Sequence, residues 1–212
     1  MRGCRPLTDT EIEAVIAYVS KPDLKREKAL FLLGIRTGLR LSSLMSLRIE
    51  DVSINGKVRD RIRVRRMTTK GRRSGFDMAL HPQAAESLQE YLDIRHQVVG
   101  YVFEGRFPKT RMDQSQGWRV IKEIFEEAGL DGGYGELGAH VLRKTFCRLI
   151  YSALRHDLVK TAYAMRHALV SATIQYLSFK EEEVDAAILA IVVASPENCL
   201  DDVMFSTGAR NL

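Results

Sequence analysis

The 212-residue sequence predicts an α+β fold that is mainly α-helical and contains a small three-stranded antiparallel sheet. The first observation is that helix-capping signals, each followed by apolar residues at helical spacing, recur along most of the chain. The second is that the apolar period shortens to two between residues 52 and 80, where an Asn-Gly turn signal also occurs. An apolar content of 45% and a charged content of 28% are ordinary for a globular protein with one sizeable core.

Three helices are predicted in the first 50 residues. Residues 8–11, Thr-Asp-Thr-Glu, form a capping box that opens the first helix. The second helix covers residues 24–37, and Gly38 stops it. A short third helix over residues 41–47 follows, so Arg40 lies at a junction between helices, where a rigid support can aim a side chain at a ligand.

The three strands are predicted within residues 52–80. Residues 52–54 form the first strand and lead into Asn55-Gly56, a strong hairpin signal. A second turn over residues 70–75 precedes the last strand, residues 76–80. Apolar and basic residues alternate along the middle strand, which predicts one buried and one basic face. The apolar face carries Val58, Ile62 and Val64, and the basic face carries Lys57, Arg59, Arg61, Arg63 and Arg65.

The middle strand and the turn after it are strongly basic. Residues 57–73 contain nine basic residues and one acid, Asp60, in a chain whose net charge is +5. This segment is either a solvated strand face or a track for a phosphate backbone, and the one-sided basic periodicity favours the track. The DNA-contacting residues predicted here are Arg59, Arg61, Arg63, Arg65, Arg72 and Arg73.

Five further helices are predicted in the second half of the chain. Pro82 suits the first turn of a helix, and Asp113 suits a helix N-cap. Trp118, the only tryptophan, is interpreted as a core residue rather than a base-stacking platform. Cys147 is interpreted as a small buried apolar residue. The predicted helices cover residues 82–98, 113–128, 136–154, 157–166 and 172–178.

Five side chains have chemistry that belongs together. Arg40 and Arg143 supply guanidiniums, His140 and His167 supply imidazoles, and Tyr176 supplies a phenol. Guanidinium forks match phosphate oxygens, imidazoles move protons, and a phenol can be a covalent nucleophile. The set suits a phosphodiester that is attacked by a tyrosine, and the sequence shows no clustered Asp and Glu set to hold a metal.

The order and spacing of four pieces of the sequence resemble the catalytic signature of the tyrosine recombinases, the phage integrase family. The resemblance covers roughly residues 8–180. It implies the fold of the catalytic domain of the DNA breaking-rejoining enzymes. It also implies site-specific recombination (integration, excision or inversion) through a 3′-phosphotyrosyl intermediate, with no metal, ATP or other cofactor. The four pieces are Gly38-Leu39-Arg40, His140-x-x-Arg143, His167 and Tyr176.

The resemblance also implies a role for each matched residue. Tyr176 attacks the scissile phosphate, and His140 accepts the phenol proton. Arg40 and Arg143 stabilise the charge on the non-bridging oxygens, with His167 as a further donor. We expect the loss of one such donor to cost on the order of a hundredfold in rate.

A lysine on the β-hairpin acts as the general acid in the resembled family. Lys70 matches that place better than Lys57. Lys144 and Arg166 are predicted as further DNA contacts. The implied partners are double-stranded DNA, other copies of the chain in a tetramer on DNA, and accessory DNA-bending proteins.

Three departures from the family pattern limit the resemblance. Ser43 stands where relatives usually carry an acid, which predicts weaker positioning of the site. Arg166 replaces a glycine that commonly precedes the histidine. The capping box comes so early that no core-binding domain is expected ahead of it, which predicts either a cut-down catalytic fragment or one of the short recombinases, such as the fimbrial phase-variation invertases, that also lack this domain.

Residues 1–180 are predicted to form the catalytic domain, and residues 181–212 a C-terminal helix and flexible tail. That helix either closes its own core or docks on a neighbouring subunit. The three cysteines are far apart, and the first six residues lack the apolar core of a signal peptide. Together with the absence of a membrane-length apolar run, this predicts a soluble cytoplasmic protein.

Two function classes stay open on the sequence. The first is an active site-specific recombinase, and the second is a DNA-binding regulator or accessory protein that retains the fold. The complete set of matched residues favours catalysis, because a protein that only binds DNA has no need of a positioned tyrosine.

Overall fold

The computed structural model describes residues 4–65, 75–130, 137–138, 140–167, 169–174, 176–177 and 188–190. The chain divides into two units, Met1–Leu177 and Ser178–Leu212. The elements given below lie in the first unit and confirm the mainly helical α+β class. Within the described ranges, no helix is long and apolar enough to cross a membrane.

The helices are set by local signals that the sequence displays. The capping box at Thr8 is present, because its side chain accepts from the backbone of Glu11 while the Glu11 carboxylate accepts from the backbone of Thr8. Asp113 forms a second capping box. In the described part of the chain the helices are α1 (Asp9–Val19), α2 (Lys25–Thr37), α3 (Leu41–Met45), α4 (Ile49–Val52), α5 (Pro82–Arg95), α6 (Gln114–Glu127), α7 (Val141–Ala153), α8 (Leu158–Ala164) and α9 (Ser171–Ile174).

Several helix bounds differ from the prediction. α4 ends at Val52, the residue at which the first strand was expected to begin. α5 ends three residues early because His96 takes a left-handed φ of 52°. α8 ends at Ala164 rather than at Arg166, which itself has a φ of 55°. α9 begins at Ser171, the predicted cap, and ends before Tyr176.

The strands form two antiparallel pairs, so the predicted single three-stranded sheet is wrong in detail. Among the described residues these are β1 (Ser53–Ile54) with β2 (Lys57–Val58), and β3 (Arg61–Val64) with β4 (Phe76–Ala79). The first pair is closed at Asn55 and Gly56, both with positive φ, as the turn signal predicts. The chain changes partner after β2, because the Arg59 amide still donates to Val52 in the register of the first pair, whereas the Asp60 carbonyl accepts from the Leu80 amide in the register of the second.

The alternation within β3 is confirmed. Ile62 and Val64 are fully buried, whereas Arg61 and Arg63 are exposed. One face of β3 therefore packs on the core, and the other presents guanidiniums to solvent.

α7, which contains Arg143, packs closely against α2. A Cβ on Gly34 would lie 2.4 Å from Leu142 Cδ1, and a Cβ on Gly38 would lie 2.2 Å from Phe146 Cδ1. Only glycine allows α7 to approach α2 this closely. Gly38 also ends α2 with a φ of 61°, which glycine adopts without strain.

Leu7 and Asp9, at the start of α1, also hold α7. The Leu7 amide donates to Thr145 Oγ1 at 2.9 Å. Arg148 pairs with Asp9 at 2.6 Å. Cys147 is fully buried on the same helix, and burial raises the pKa of its thiol to about 11. The thiol is therefore protonated at neutral pH, which confirms its interpretation as a small apolar residue.

Candidate active site

Arg143 connects three separate segments of the chain. Its Nη1 donates to the carbonyl oxygen of Gly38, and its Nη2 donates to the carbonyl oxygen of Met165 at 2.9 Å. The same Nη2 lies 2.9 Å from His167 Nε2. Only 6% of Arg143 is exposed. Burial lowers the pKa of Arg143, and the adjacent phenol of Tyr176 opposes that change.

The contacts of His167 define its tautomer. A guanidinium can only donate, so Nε2 of His167 accepts from Arg143. The proton of a neutral ring then lies on Nδ1, which is 2.8 Å from Oγ1 of buried Thr173. Donation from Nε2 to a phosphate, the role implied for His167, therefore requires that Nε2 gain a proton and that its contact with Arg143 be broken.

Tyr176 lies beside these cationic groups. Its ring centroid is 5.2 Å from that of His167, with 43° between the planes. Arg143 Cζ is 5.8 Å and Lys144 Nζ is 6.0 Å from the centroid. The Tyr176 amide donates to the carbonyl oxygen of Thr173 at 2.9 Å. The residue that orients His167 therefore also helps to hold the tyrosine.

Arg40 and His140 line one open cleft of about 310 Å³. Arg40 is the N-cap of α3 and His140 is the N-cap of α7, so each lies at a helix start. Burial is the main cause that lowers the pKa of His140, followed by the charges of Arg143, Arg40 and Lys144. A neutral imidazole at pH 7 can accept a proton.

The rest of the cleft is built by the start of α6. Gln114, Ser115 and Trp118 line it together with Leu41. Trp118 also packs against the core, so its interpretation as a core residue holds for one side of the ring only. No sequence signal distinguished the side that faces the cleft.

The predicted DNA contacts have unequal surroundings. Arg61 and Arg63 are exposed on β3. Arg65 Nε donates to both carboxylate oxygens of Asp51, at 2.7 and 2.8 Å, and Asp51 is almost completely buried. Arg59 is half-buried next to the end of β2. The DNA contacts of these residues stay predictions.

Other predicted residues lie elsewhere or outside the described ranges. Lys70, Arg72 and Arg73 are outside the described residues, so the general-acid role of Lys70 stays a prediction. Lys144 lies next to Tyr176, as given above. Arg166 packs against two aromatic rings, and its predicted phosphate contact also stays untested.

Sequence reasoning missed three parts of this arrangement. Thr173 holds His167, and the carbonyl oxygens of Gly38 and Met165 hold Arg143. A threonine three residues before Tyr176 is only a weak sequence signal. A main-chain carbonyl acceptor leaves no signal in the sequence. Ser43, the departure from the acid, is buried, and its amide donates to the Arg40 carbonyl at 2.8 Å.

Comparison with known proteins gives a family match over most of the chain. The phage integrase family matches residues 5–183. A probable integrase/recombinase of Bacillus subtilis (strain 168), YoeC, is 26% identical over 189 residues, which cover 88% of this chain and 96% of that protein. The tyrosine recombinase XerC of Roseiflexus castenholzii is 29% identical, with 84% of this chain and 56% of that protein covered. The tyrosine recombinase XerA of Pyrococcus furiosus is also 29% identical, over 74% of this chain and 55% of that protein.

Solved structures share the fold. A crystal structure of XerA recombinase has a TM-score of 0.68 at 24% identity and covers 88% of this chain and 65% of that chain. The XerH site-specific recombinase, in a post-cleavage complex with palindromic difH substrate, has a TM-score of 0.67 at 23% identity, covering 88% and 53%. The chain thus spans nearly all of the Bacillus relative but about half the length of the other two curated relatives.

Proposed function

This chain belongs to the phage integrase family, and on that premise we propose that it is a tyrosine-type site-specific DNA recombinase. The observation that carries the proposal is the convergence of Arg143, His167 and Tyr176, supplied by three separate segments. Cleavage of a phosphodiester by a tyrosine requires a phenol as the nucleophile and positively charged or hydrogen-bonding groups beside it, and these three side chains supply them.

The first chemical step is a transesterification. Tyr176 Oη attacks the scissile phosphorus, the bond from phosphorus to the 5′ oxygen breaks, and the DNA is left joined to the tyrosine through its 3′ phosphate. His140 takes the phenol proton, for which its lowered pKa leaves it neutral at pH 7. Lys70 gives a proton to the leaving 5′ oxygen. Arg40 and Arg143 stabilise the charge on the non-bridging oxygens.

A second transesterification restores the DNA. A 5′ hydroxyl from a partner strand attacks the phosphotyrosyl phosphorus and releases Tyr176. One phosphoester bond forms for each one broken, so the steps need no ATP. Arg40 and Arg143 supply the positive charge that a metal would otherwise supply. Strand exchange between two duplexes uses a tetramer on DNA, with accessory DNA-bending proteins as further partners.

A covalent-trapping assay tests this proposal. Sheared host chromosomal DNA that carries random nicks is incubated with the protein in a chelator, without nucleotide, and then denatured. We expect a protein–DNA adduct whose DNA has a blocked 3′ end and a free 5′ hydroxyl. The adduct should be absent in Tyr176→Phe and present in the matched control Tyr151→Phe, which changes a tyrosine away from the site.

Three results would count against the proposal. An adduct that persists in Tyr176→Phe assigns another nucleophile. An adduct blocked at the 5′ end reverses the polarity of the link. A salt-sensitive gel shift without any adduct favours the DNA-binding regulator over the recombinase.

A further inference from the structure

Arg166 contacts two elements that are far apart in sequence. Its Cζ lies 4.9 Å from the ring centroid of Phe76 on β4 and 4.9 Å from that of Tyr163 on α8. Its Nη2 donates to the carbonyl oxygen of Asp77 on β4 at 3.3 Å. One side chain therefore connects the β3–β4 pair to the end of α8.

The backbone of Arg166 has a left-handed φ of 55°. This region favours glycine, because a Cβ is crowded there. The Arg166 amide donates to Tyr163 and the His167 amide donates to Ala162, both at 3.0 Å, so the turn is fully held. An arginine is under strain at this place, and its ring contacts and hydrogen bond to β4 are interactions that a glycine cannot make.

The residue that follows is His167, which contacts Arg143 and lies beside Tyr176. On the other side, β4 pairs with β3, which carries the exposed guanidiniums of Arg61 and Arg63. The arginine thus stands between the basic strand pair and the histidine of the site.

We infer that Arg166 is a positioning residue that sets the place of His167 relative to the basic β3–β4 pair. The inference rests on the proposed function, in which that strand pair contacts the DNA backbone and His167 serves the scissile phosphate. DNA bound on β3 is then held in a fixed register with Arg143, His167 and Tyr176. The contact acts on the rate of cleavage rather than on the affinity for DNA.

The geometry requires an arginine and not only a positive charge. A planar guanidinium can contact two rings through its faces while it donates through its edge. A lysine ammonium is a point charge and cannot keep all three contacts. If Arg166 instead contacted a phosphate directly, a lysine would keep the charge, and any change would appear in the affinity for DNA rather than in the saturated rate.

The test compares Arg166→Lys and Tyr163→Leu with the matched control Arg155→Lys. Tyr163 is exposed, so its loss leaves the core intact. Arg155 is an exposed arginine that also has a positive φ, and the described residues show no side-chain partner for it. The measurements are the rate of adduct formation at saturating DNA, the affinity for the same DNA, and the NMR signals of the His167 imidazole.

We expect both variants to lower the saturated rate by about 10- to 100-fold, the range for a small misplacement of a reacting group. Affinity and its salt dependence should stay within about twofold of the parent, because no phosphate contact is lost. The His167 signals should shift in both variants and stay in place in Arg155→Lys. The double variant should be no slower than the slower single variant, since both single changes disrupt the same contact between residues 163 and 166.

A parental rate in Arg166→Lys, or a change confined to affinity, would overturn the inference in favour of a phosphate contact. Failure of the proposed function has a different signature, namely no adduct in the parent chain. In that case the role of Arg166 is judged from the NMR signals of His167 alone. A shift in both variants keeps Arg166 as the residue that positions His167, and unchanged signals reject it.

Discussion

Arg143 donates a hydrogen bond from Nη1 to the carbonyl oxygen of Gly38, which lies 105 residues earlier in the chain. The bond joins two of the pieces that carry the family signature. Gly38 ends α2, and Arg40, two residues later, is the N-cap of α3. This bond therefore helps to fix the spacing between the guanidiniums of Arg40 and Arg143.

We expect Arg143→Lys to lower the rate of adduct formation by at least about a hundredfold. A lysine cannot reach the Gly38 and Met165 carbonyl oxygens together, and it loses the fork that matches a phosphate. The rate is measured in a single turnover with the nicked substrate. Arg148→Lys is the matched control on the same helix, since Arg148 pairs only with Asp9 among the contacts described. Equal rates in the two variants would reject the role of Arg143.

Gly38→Ala is expected to lower the free energy of unfolding by about 3 kcal/mol. The alanine backbone would have to keep the left-handed φ of 61°, and its new Cβ would lie 2.2 Å from Phe146 Cδ1. Backbone strain and overpacking therefore add. Gly129→Ala is the control, because it has a φ of 74° but no neighbour within 4 Å. Urea denaturation should show a loss of about 1 kcal/mol there. Equal losses would mean that the contact between α2 and α7 is not tight.

The lowered pKa of His140 predicts a pH dependence of cleavage. The rate should be flat near pH 7 to 8 and should fall only below the usual histidine value of 6.5, as His140 protonates. Stability follows the same sign. The unfolded chain binds a proton at this residue first, so the contribution of His140 to stability is present above pH 6.5 and declines below it.

The midpoint of His140 can be read directly from its imidazole signals in an NMR titration. Lys144→Gln should move that midpoint upward, because it removes one of the positive charges that lower the pKa. A midpoint above 6.5 in the parent chain would contradict the expected neutral base.

Removal of the exposed guanidiniums of β3 should change the salt dependence of DNA binding. Arg61→Gln and Arg63→Gln are each expected to reduce the slope of log affinity against log salt by about 0.9. Lys122→Gln on α6 serves as a control of equal charge change. Arg65→Gln should instead lower stability, because it leaves the buried carboxylate of Asp51 without this partner. Unchanged slopes for both β3 variants would favour a solvated strand face.

Trp118 gives an optical test of the cleft. It is the only tryptophan and lines the cleft with Arg40 and His140. We expect its fluorescence to change when duplex DNA is added to Tyr176→Phe, which binds without cleaving, and to recover when salt is raised. DNA binding by gel shift without any fluorescence change would place the DNA away from this cleft.

Much of the fold follows from local physical chemistry. The capping boxes at Thr8 and Asp113, the stop at Gly38 and the alternation of β3 are satisfied by neighbours a few residues away. Such signals survive in the sequence because their partners are adjacent in it. Where a bound depended on a residue other than glycine taking a left-handed φ, as at His96 and Arg166, the prediction of the helix end failed.

The sequence by itself determined the class of fold, the identity of the matched side chains and the sign of the charge on β3. Tertiary structure alone decided which groups hold the matched side chains in place. Arg143 on Gly38 and Met165, and Arg166 against Phe76, join segments that no local pattern relates. The physical reason is that such contacts exist only after the packing of apolar faces has brought distant segments together, and a main-chain carbonyl accepts equally well whatever its side chain.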